Sequence, residues 1–528
     1  MSNRRLHPFR PTLAIASLTL AMLPLMNVCH ADVALHPLFT DHGVLQQDMP
    51  VPVWGTADAD AEIIVRWGEQ IKETTADSDG NWMTILDPTP ASTEGQTLTV
   101  DSGDQTAAAR HLLVGEVWVC SGQSNMAMST SRTDDFETIT TELKNTSNLS
   151  NIRLFRVPVA GADDRQETVD AKWTTVDEHS AGSFSAVGLY FGRALSRDRN
   201  VPVGLIQAAN GGTNAYSWIN NDTYLNDPVA QVTRDHWASL MTNASTQLEK
   251  YKENKAKWLE KAKQAREEGT PFTQRSPREP MHATHVKRPT GHYNAMVAPL
   301  QPYAIRGAIW YQGEANSRPP FCFQYKDLML SLVDDWRTDW AAATEDTRRD
   351  FPFYLVQLPN YGNGPSWPVI REQMLQFWQQ GDHTGMVVAI DVGDPDDIHP
   401  RNKLPIGERL SLFARANTYG EQIVYSGPIY SDHKVKGSEV AIEFKHVGDG
   451  LKSSDGEDLR NFQIAGDDGK FVDATARIES NQVVVSSPDV PKPAAVRYAW
   501  SPNPNRINFV NEQGLPASPF RTDDAPLQ

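Results

Sequence analysis

The chain has 528 residues, too many for one ordinary core, so two or three domains are expected. Its formal net charge of −17 argues against broad nucleic-acid binding and against attraction to anionic membranes. The composition, 39% hydrophobic and 22% charged, is that of an ordinary soluble globular protein.

Arg4 and Arg5 precede a mostly apolar stretch from Leu13 to Met26, and small residues at Cys29 and Ala31 offer a cleavage point before Asp32. The pattern is that of a secretory signal peptide over residues 1–31, which predicts a secreted or periplasmic protein. No later segment is uniformly apolar for long enough to span a membrane. Cys29 leaves with the signal, so Cys120 and Cys322 either pair in an oxidising compartment or stay apart. The apolar neighbours of Cys120 favour the second reading, a small buried residue in a strand.

From Asp32 to Leu112 the pattern is β. Short runs such as Val51–Trp54, Glu62–Trp67 and Thr97–Val100 alternate with Gly, Asp and Asn clusters, as in a sandwich. From Leu113 the period changes. Apolar runs at Val117–Cys120, Ile152–Val157, Val203–Ala209, Ile305–Tyr311, Phe353–Leu358 and Met386–Ile390 alternate with helical stretches at Phe184–Arg197, Tyr325–Trp340 and Trp367–Gln379. Strands alternating with helices predict an α/β domain over 113–420, a mostly parallel sheet with helices on both faces. Residues 220–289 interrupt it as an insertion, whose middle, Leu248–Glu268, has the composition of a solvated helix or lid. From 421 to 528 β patterns return at Val440–Phe444, Val483–Val485 and Val496–Trp500. The two β-rich regions are separate modules or two halves of one; the sequence leaves both open.

The chemistry gathers after the apolar runs. In open α/β sheets ligands bind at the carboxyl ends of strands. Ser124, in Gly122-Gln123-Ser124-Asn125-Met126, sits just beyond Val117–Cys120 and is a candidate nucleophile. Alone it is weak, since serines in glycine turns are common. His399 follows Met386–Ile390 and is a candidate general base. Asp396, three residues earlier, is the candidate orienter, with Asp391, Asp394 and Asp397 as substitutes. An oxyanion hole requires fixed donors, and the candidates are the backbone N–H groups of Ser124 and Gly212 and the side-chain amide of Gln312. Candidate substrate contacts are Asn125, Asn210, Trp218 and Glu314, with Tyr216 beside Trp218. Trp218 and Tyr216 serve equally well as core, and Glu314 as a loop anchor. No Cys/His cluster has metal-ligand spacing, and neither metal nor organic cofactor is expected.

The four blocks around Ser124, Gly211-Gly212-Thr213, Trp310-Tyr311-Gln312-Gly313-Glu314 and Asp396-x-x-His399 resemble those of the SGNH hydrolases. More narrowly they resemble the sialate O-acetylesterase-like branch of the carbohydrate acetylesterases, in which a glutamine, here matched by Gln312, stands for the block-three asparagine. Leu45-Gln46-Gln47 and Gly514–Arg521 extend the likeness into both flanks. The resemblance implies a flavodoxin-like sheet and a serine esterase that removes O-acetyl groups from carbohydrate through an acetyl-enzyme. The sugar stays open: plant cell-wall oligosaccharides rank level with or slightly above sialic acids, because β-rich flanks offer walls for a groove. Competing readings are an esterase or lipase for another ester, and a carbohydrate-binding protein without catalysis.

Overall fold

The computed structural model describes residue 1 and residues 32–145, 149–342 and 350–525. The segment 1–31, expected to be a signal peptide, lies outside them apart from Met1. No helix among the described residues is long and apolar enough to cross a membrane.

A doubly wound sheet forms the centre. Its strands are β1 (Gln105–Gly122), β2 (Ile152–Arg156), β3 (Trp173–Thr175), β4 (Val203–Ala209), β5 (Gly307–Tyr311), β6 (Phe353–Val356) and β7 (Thr384–Val387). They lie in the order β3-β2-β4-β1-β5-β6-β7, all parallel except the edge strand β3. On the β5 side the chain winds outward from β1; on the other it goes out to β2 and the edge strand β3 and returns to β4 beside β1, so that side holds three strands where the flavodoxin order has one. The apolar runs are continuous because both faces are covered. On one face α2 (Ala186–Arg199) and α5 (Leu404–Asn417) cover the sheet, with Phe191 against Trp118 and Phe413 against Tyr354. On the other, α3 (Tyr325–Ala342) and α4 (Trp367–Gln380) set Trp336 against Trp310 and Phe377 against Phe353.

The N-terminal β region is not a separate body. β1 is 18 residues long and begins in that region, so the expected boundary at 112/113 falls inside one strand. Its first part pairs antiparallel with Ser92–Ser102, and Leu113–Gly115 pairs parallel with Val44–Gln46. The buried Glu116 carboxylate then accepts hydrogen bonds from Gln46 at 3.0 Å and Arg306 at 2.8 Å, which explains the Leu-Gln-Gln signal in the flank. The C-terminal region forms two four-stranded sheets and a two-stranded one around Phe444, Phe462, Tyr498, Phe509 and Phe520. Among the described residues none of its strands pairs with the catalytic sheet or with the N-terminal region. It docks mainly through side chains, with one backbone bond from the Tyr361 N–H to Pro502 O: the fully buried Arg371 donates to the carbonyls of Ser501 and Pro502, and Arg521 pairs with Glu372.

Within the insertion, Ala244–Glu267 is a 24-residue helix with a largely exposed surface. Cys120 and Cys322 are both buried free thiols, in keeping with the unpaired reading.

Candidate active site

Three of the blocks arrive at the carboxyl ends of β1, β4 and β5, beside the point where the winding reverses. After β1 the ladder runs on, with the Gln123 N–H donating to Tyr311 O at 2.9 Å and the Asn210 N–H to Gly122 O at 3.1 Å. Gly122 has φ +133°, and a Cβ there would lie 2.3 Å from Tyr311 O, so the strand end needs glycine to lie this close to β5. The chain then enters the short helix α1 (Ser124–Ala127), which presents Ser124 half-buried at its first position. The Gly211-Gly212 turn packs beside it, and a Cβ on Gly211 would meet Ser124 Cβ at 3.4 Å.

His399 comes from the loop between β7 and α5. Its Nε2 lies 2.8 Å from Ser124 Oγ. The four nearby acids sort by geometry. Asp391 forms a bidentate pair with Arg409, at 2.7 and 2.6 Å. Asp394 Oδ1 accepts the N–H groups of Asp396 and Asp397 and so closes the turn. Asp397 Oδ1 accepts the His399 N–H at 2.9 Å and lies 3.6 Å from His399 Nδ1. Asp396 is exposed and has no contact with the ring among the described residues. Among the described residues it is Asp397, and not the expected orienter Asp396, that contacts the ring. At 3.6 Å the contact is one of charge, longer than a hydrogen bond. Burial holds the His399 pKa below the usual imidazole value; Asp397 opposes this, and the charges of Lys403 and Arg132 add to it.

Below this row lies a buried polar layer. The Asn125 amide donates to Glu314 Oε1 and to the Ile398 carbonyl at 2.9 Å, and its Oδ1 accepts from Lys403 Nζ at 2.7 Å. Asn125 and Glu314, expected to meet substrate, are buried and spent on this network. Burial raises the Glu314 pKa and lowers that of Lys403 to about 7. Gln312 is also fully buried. Its amide donates to Thr213 O at 3.0 Å and Asn316 Oδ1 at 2.7 Å, and its Oε1 accepts from Tyr325 at 2.9 Å. Both N–H groups are used, so the arrangement gives Gln312 no donor for an oxyanion; it braces the glycine turn.

Trp218 is fully buried between Trp310 and His292, donates to Thr213 Oγ1 and is core, as is Tyr216 against Phe321. Asn210 stays partly exposed. His292 Nδ1 lies 2.7 Å from the Ala160 carbonyl and must donate there, so its Nε2 accepts from the Asn210 amide at 2.9 Å. Two groups escaped the sequence reading. Lys403 looks like any solvated lysine in sequence, although it lies only four positions past His399. Lys287, where the insertion rejoins the domain, brings its Nζ to 3.2 Å from where a Cβ on Gly212 would sit. Of the proposed backbone donors, Ser124 N–H is the first of its helix and has no intrahelical acceptor, and the Gly212 N–H is unbonded among the described residues.

This geometry has relatives. A mouse sialate O-acetylesterase is 28% identical over 512 residues, covering 89% of this chain and 90% of its own. The human sialate O-acetylesterase is also 28% identical, over 71% of this chain and 69% of its own. The crystal structure of a carbohydrate acetylesterase from Xanthomonas citri superimposes with a TM-score of 0.76 at 31% identity, over 93% of this chain and 100% of that one. The family model described as carbohydrate esterase, sialic acid-specific acetylesterase matches residues 114–265 and 269–411, the stretch from mid-β1 into α5 that carries every block of the site. With the serine, the histidine and their sheet in place over that stretch, the chain belongs to this family of carboxylic ester hydrolases.

Proposed function

We propose that the protein removes O-acetyl groups from carbohydrate through an acetyl-enzyme, with Ser124 as nucleophile and His399 as its base. The observation that carries this is the 2.8 Å approach of His399 Nε2 to Ser124 Oγ at the carboxyl end of β1. The neutral ring accepts the serine proton at Nε2 while Nδ1–H faces Asp397. Oγ attacks the acetyl carbonyl, and the backbone N–H groups of Ser124 and Gly212 are the donors offered to the oxyanion. Collapse expels the sugar oxygen, which takes the proton from Nε2. Water, deprotonated by the same nitrogen, then releases acetate and restores the hydroxyl. The N-terminal pattern from Arg4 to Ala31 supports action outside the cytoplasm.

A finer reading concerns the sugar. Lys287 is half-buried beside the glycine turn, and its ammonium has no carboxylate partner among the described residues. Burial lowers its pKa, with the charge of Arg278 acting in the same direction. A carboxylate on the sugar, as in sialic or uronic acids, would complete this cation, which a neutral xylan fragment would not. The test is acetate release from acetylated sialic acid, pectin, xylan and xyloglucan oligosaccharides. Release from none of them rejects the carbohydrate reading. If Lys287→Met raises KM on the acidic sugars and leaves the neutral ones unchanged, the finer reading stands; equal effects on both reject it.

A further inference from the structure

Lys403 is costly where it stands. It is fully buried, it opens α5 at the end of the helix that disfavours a cation, and its hydrogen-bond partner is an amide, not a carboxylate. The groups facing it are Asn125 from α1, Glu314 and the Tyr311 ring from the end of β5, and Asp397 from its own loop. The ammonium lies 4.9 Å from the ring centroid of Tyr311.

The direction of each hydrogen bond shows what the lysine does. Lys403 has only donors, so the oxygen of the Asn125 amide must face it. The nitrogen then faces the other way, where both of its protons find acceptors, Glu314 Oε1 and Ile398 O. With the amide reversed, NH2 would confront the ammonium and the amide oxygen would confront the Ile398 carbonyl. Lys403 on one side and the two acceptors on the other therefore fix which way Asn125 points, and Lys403 anchors the amide at its oxygen. Asn125 is the neighbour of Ser124, and Ile398 is the neighbour of His399. One amide thus links the backbone beside the serine to the backbone beside the histidine.

We propose that Lys403 is a positioning residue for ester hydrolysis, acting through Asn125 to hold the His399 loop in register with Ser124. The inference rests on the serine-esterase reading above. Without the lysine the Asn125 oxygen loses its anchor, the amide's hold on the Ile398 carbonyl loosens, and the imidazole drifts from Oγ. Substrate binding is not affected directly, because Lys403 and Asn125 are both fully buried.

The test uses the full chain and p-nitrophenyl acetate, with reactive serines counted by endpoint titration with a fluorophosphonate so that kcat is expressed per active site. In Lys403→Met the per-site kcat is expected to fall about 10²-fold, the usual effect of a misplacement near 1 Å, while KM stays within about twofold. Asn125→Asp keeps a partner for Lys403 but removes the donor to Ile398, and is expected to show a similar loss. The double variant is expected to be no worse than the poorer single one, because both break one linkage. A residue that only supports the fold would lower Tm and the titratable fraction and leave per-site kcat unchanged. That result in Lys403→Met, or additive losses in the double variant, overturns the proposal. If Lys403→Met does not fold, Asn125→Asp decides alone, and an unchanged per-site kcat overturns the proposal. A wild-type chain inert on every acetyl ester fails the function itself, whereas an active wild type with an unaffected Lys403→Met fails only this inference.

Discussion

Two polar layers meet above the carboxyl end of β1, and they are held in opposite ways. The upper one, Ser124, His399 and Asp397, is half-buried or exposed, and its members touch one another through few contacts. The lower one, Asn125, Glu314, Lys403, Gln312 and Tyr325, is buried and multiply hydrogen-bonded. Groups that pass protons to a substrate must stay accessible, and accessible side chains hold themselves poorly. In the layer beneath, both N–H groups of Asn125 and both of Gln312 are committed to acceptors. Polar residues that look alike in sequence are thus divided by burial into an accessible row and a buried network.

The sharpest way to break this division is to exchange the effects. Ser124→Ala is expected to lower kcat on acetyl esters by about 10⁶-fold and leave Tm unchanged, since an upper-layer group carries chemistry and little stability. A large loss of Tm would show that the layers are not distinct. Asp397→Ala is expected to cost about 10²–10⁴-fold, while Asp396→Ala stays within a few-fold of wild type. The reverse ranking would return the orienting role to Asp396.

Gln312→Ala tests the lower layer. It strips partners from Thr213 O, Asn316 and Tyr325, and is expected to cost about 2 kcal/mol in a urea melt, with kcat per folded molecule falling less than tenfold. A loss of 10²–10³-fold at unchanged stability would instead make its amide an oxyanion donor.

The smallest effect is on pH. His399 must be neutral to accept the serine proton, and burial favours its neutral form, so its pKa lies below 6.5. The acid limb of kcat/KM is therefore expected below pH 6.5, with activity lost as pH falls through it and the histidine gains a proton. Asp397 raises this pKa and Arg132 lowers it, so Asp397→Ala should shift the limb down and Arg132→Ala up, each by less than about one unit. An acid limb above 6.5 would contradict the burial argument.

Much of the frame was legible because it depends on local pattern. Val203–Ala209 reads as a strand in the sequence and is one, and the glycine turns after β1 and β4 mark where backbone crowds backbone. What was not legible depends on distant partners. Trp218 lies two residues beyond Tyr216 on a short turn that suits a sugar platform, and only the packing of Trp310 and His292 makes it core. Lys403, Asn125 and Glu314 are residue types that composition assigns to the surface, and their burial follows from three segments converging. Asp396 and Asp397 differ by one position, and among the described residues it is Asp397 that contacts the ring. The boundary at 112/113 failed for another reason. β1 is exposed or half-buried up to His111, apart from Ala109, and is buried throughout from Leu112, so the pattern marks a change of surroundings and not the end of a strand.

That continuous strand limits how this protein can be taken apart. A recombination or truncation that begins at residue 113 would remove the chain feeding the nucleophile strand. It would also leave Glu116, buried at the base of the catalytic sheet, without Gln46 and Gln47, facing Arg306 alone. The edge once covered by Val44–Gln46 would be laid open to other chains. The C-terminal region, attached mainly by side chains, is the part that exchange or replacement could alter while the sheet keeps its ladders. The strand that delivers the nucleophile begins at Gln105, well before the Gly122–Met126 motif at its end.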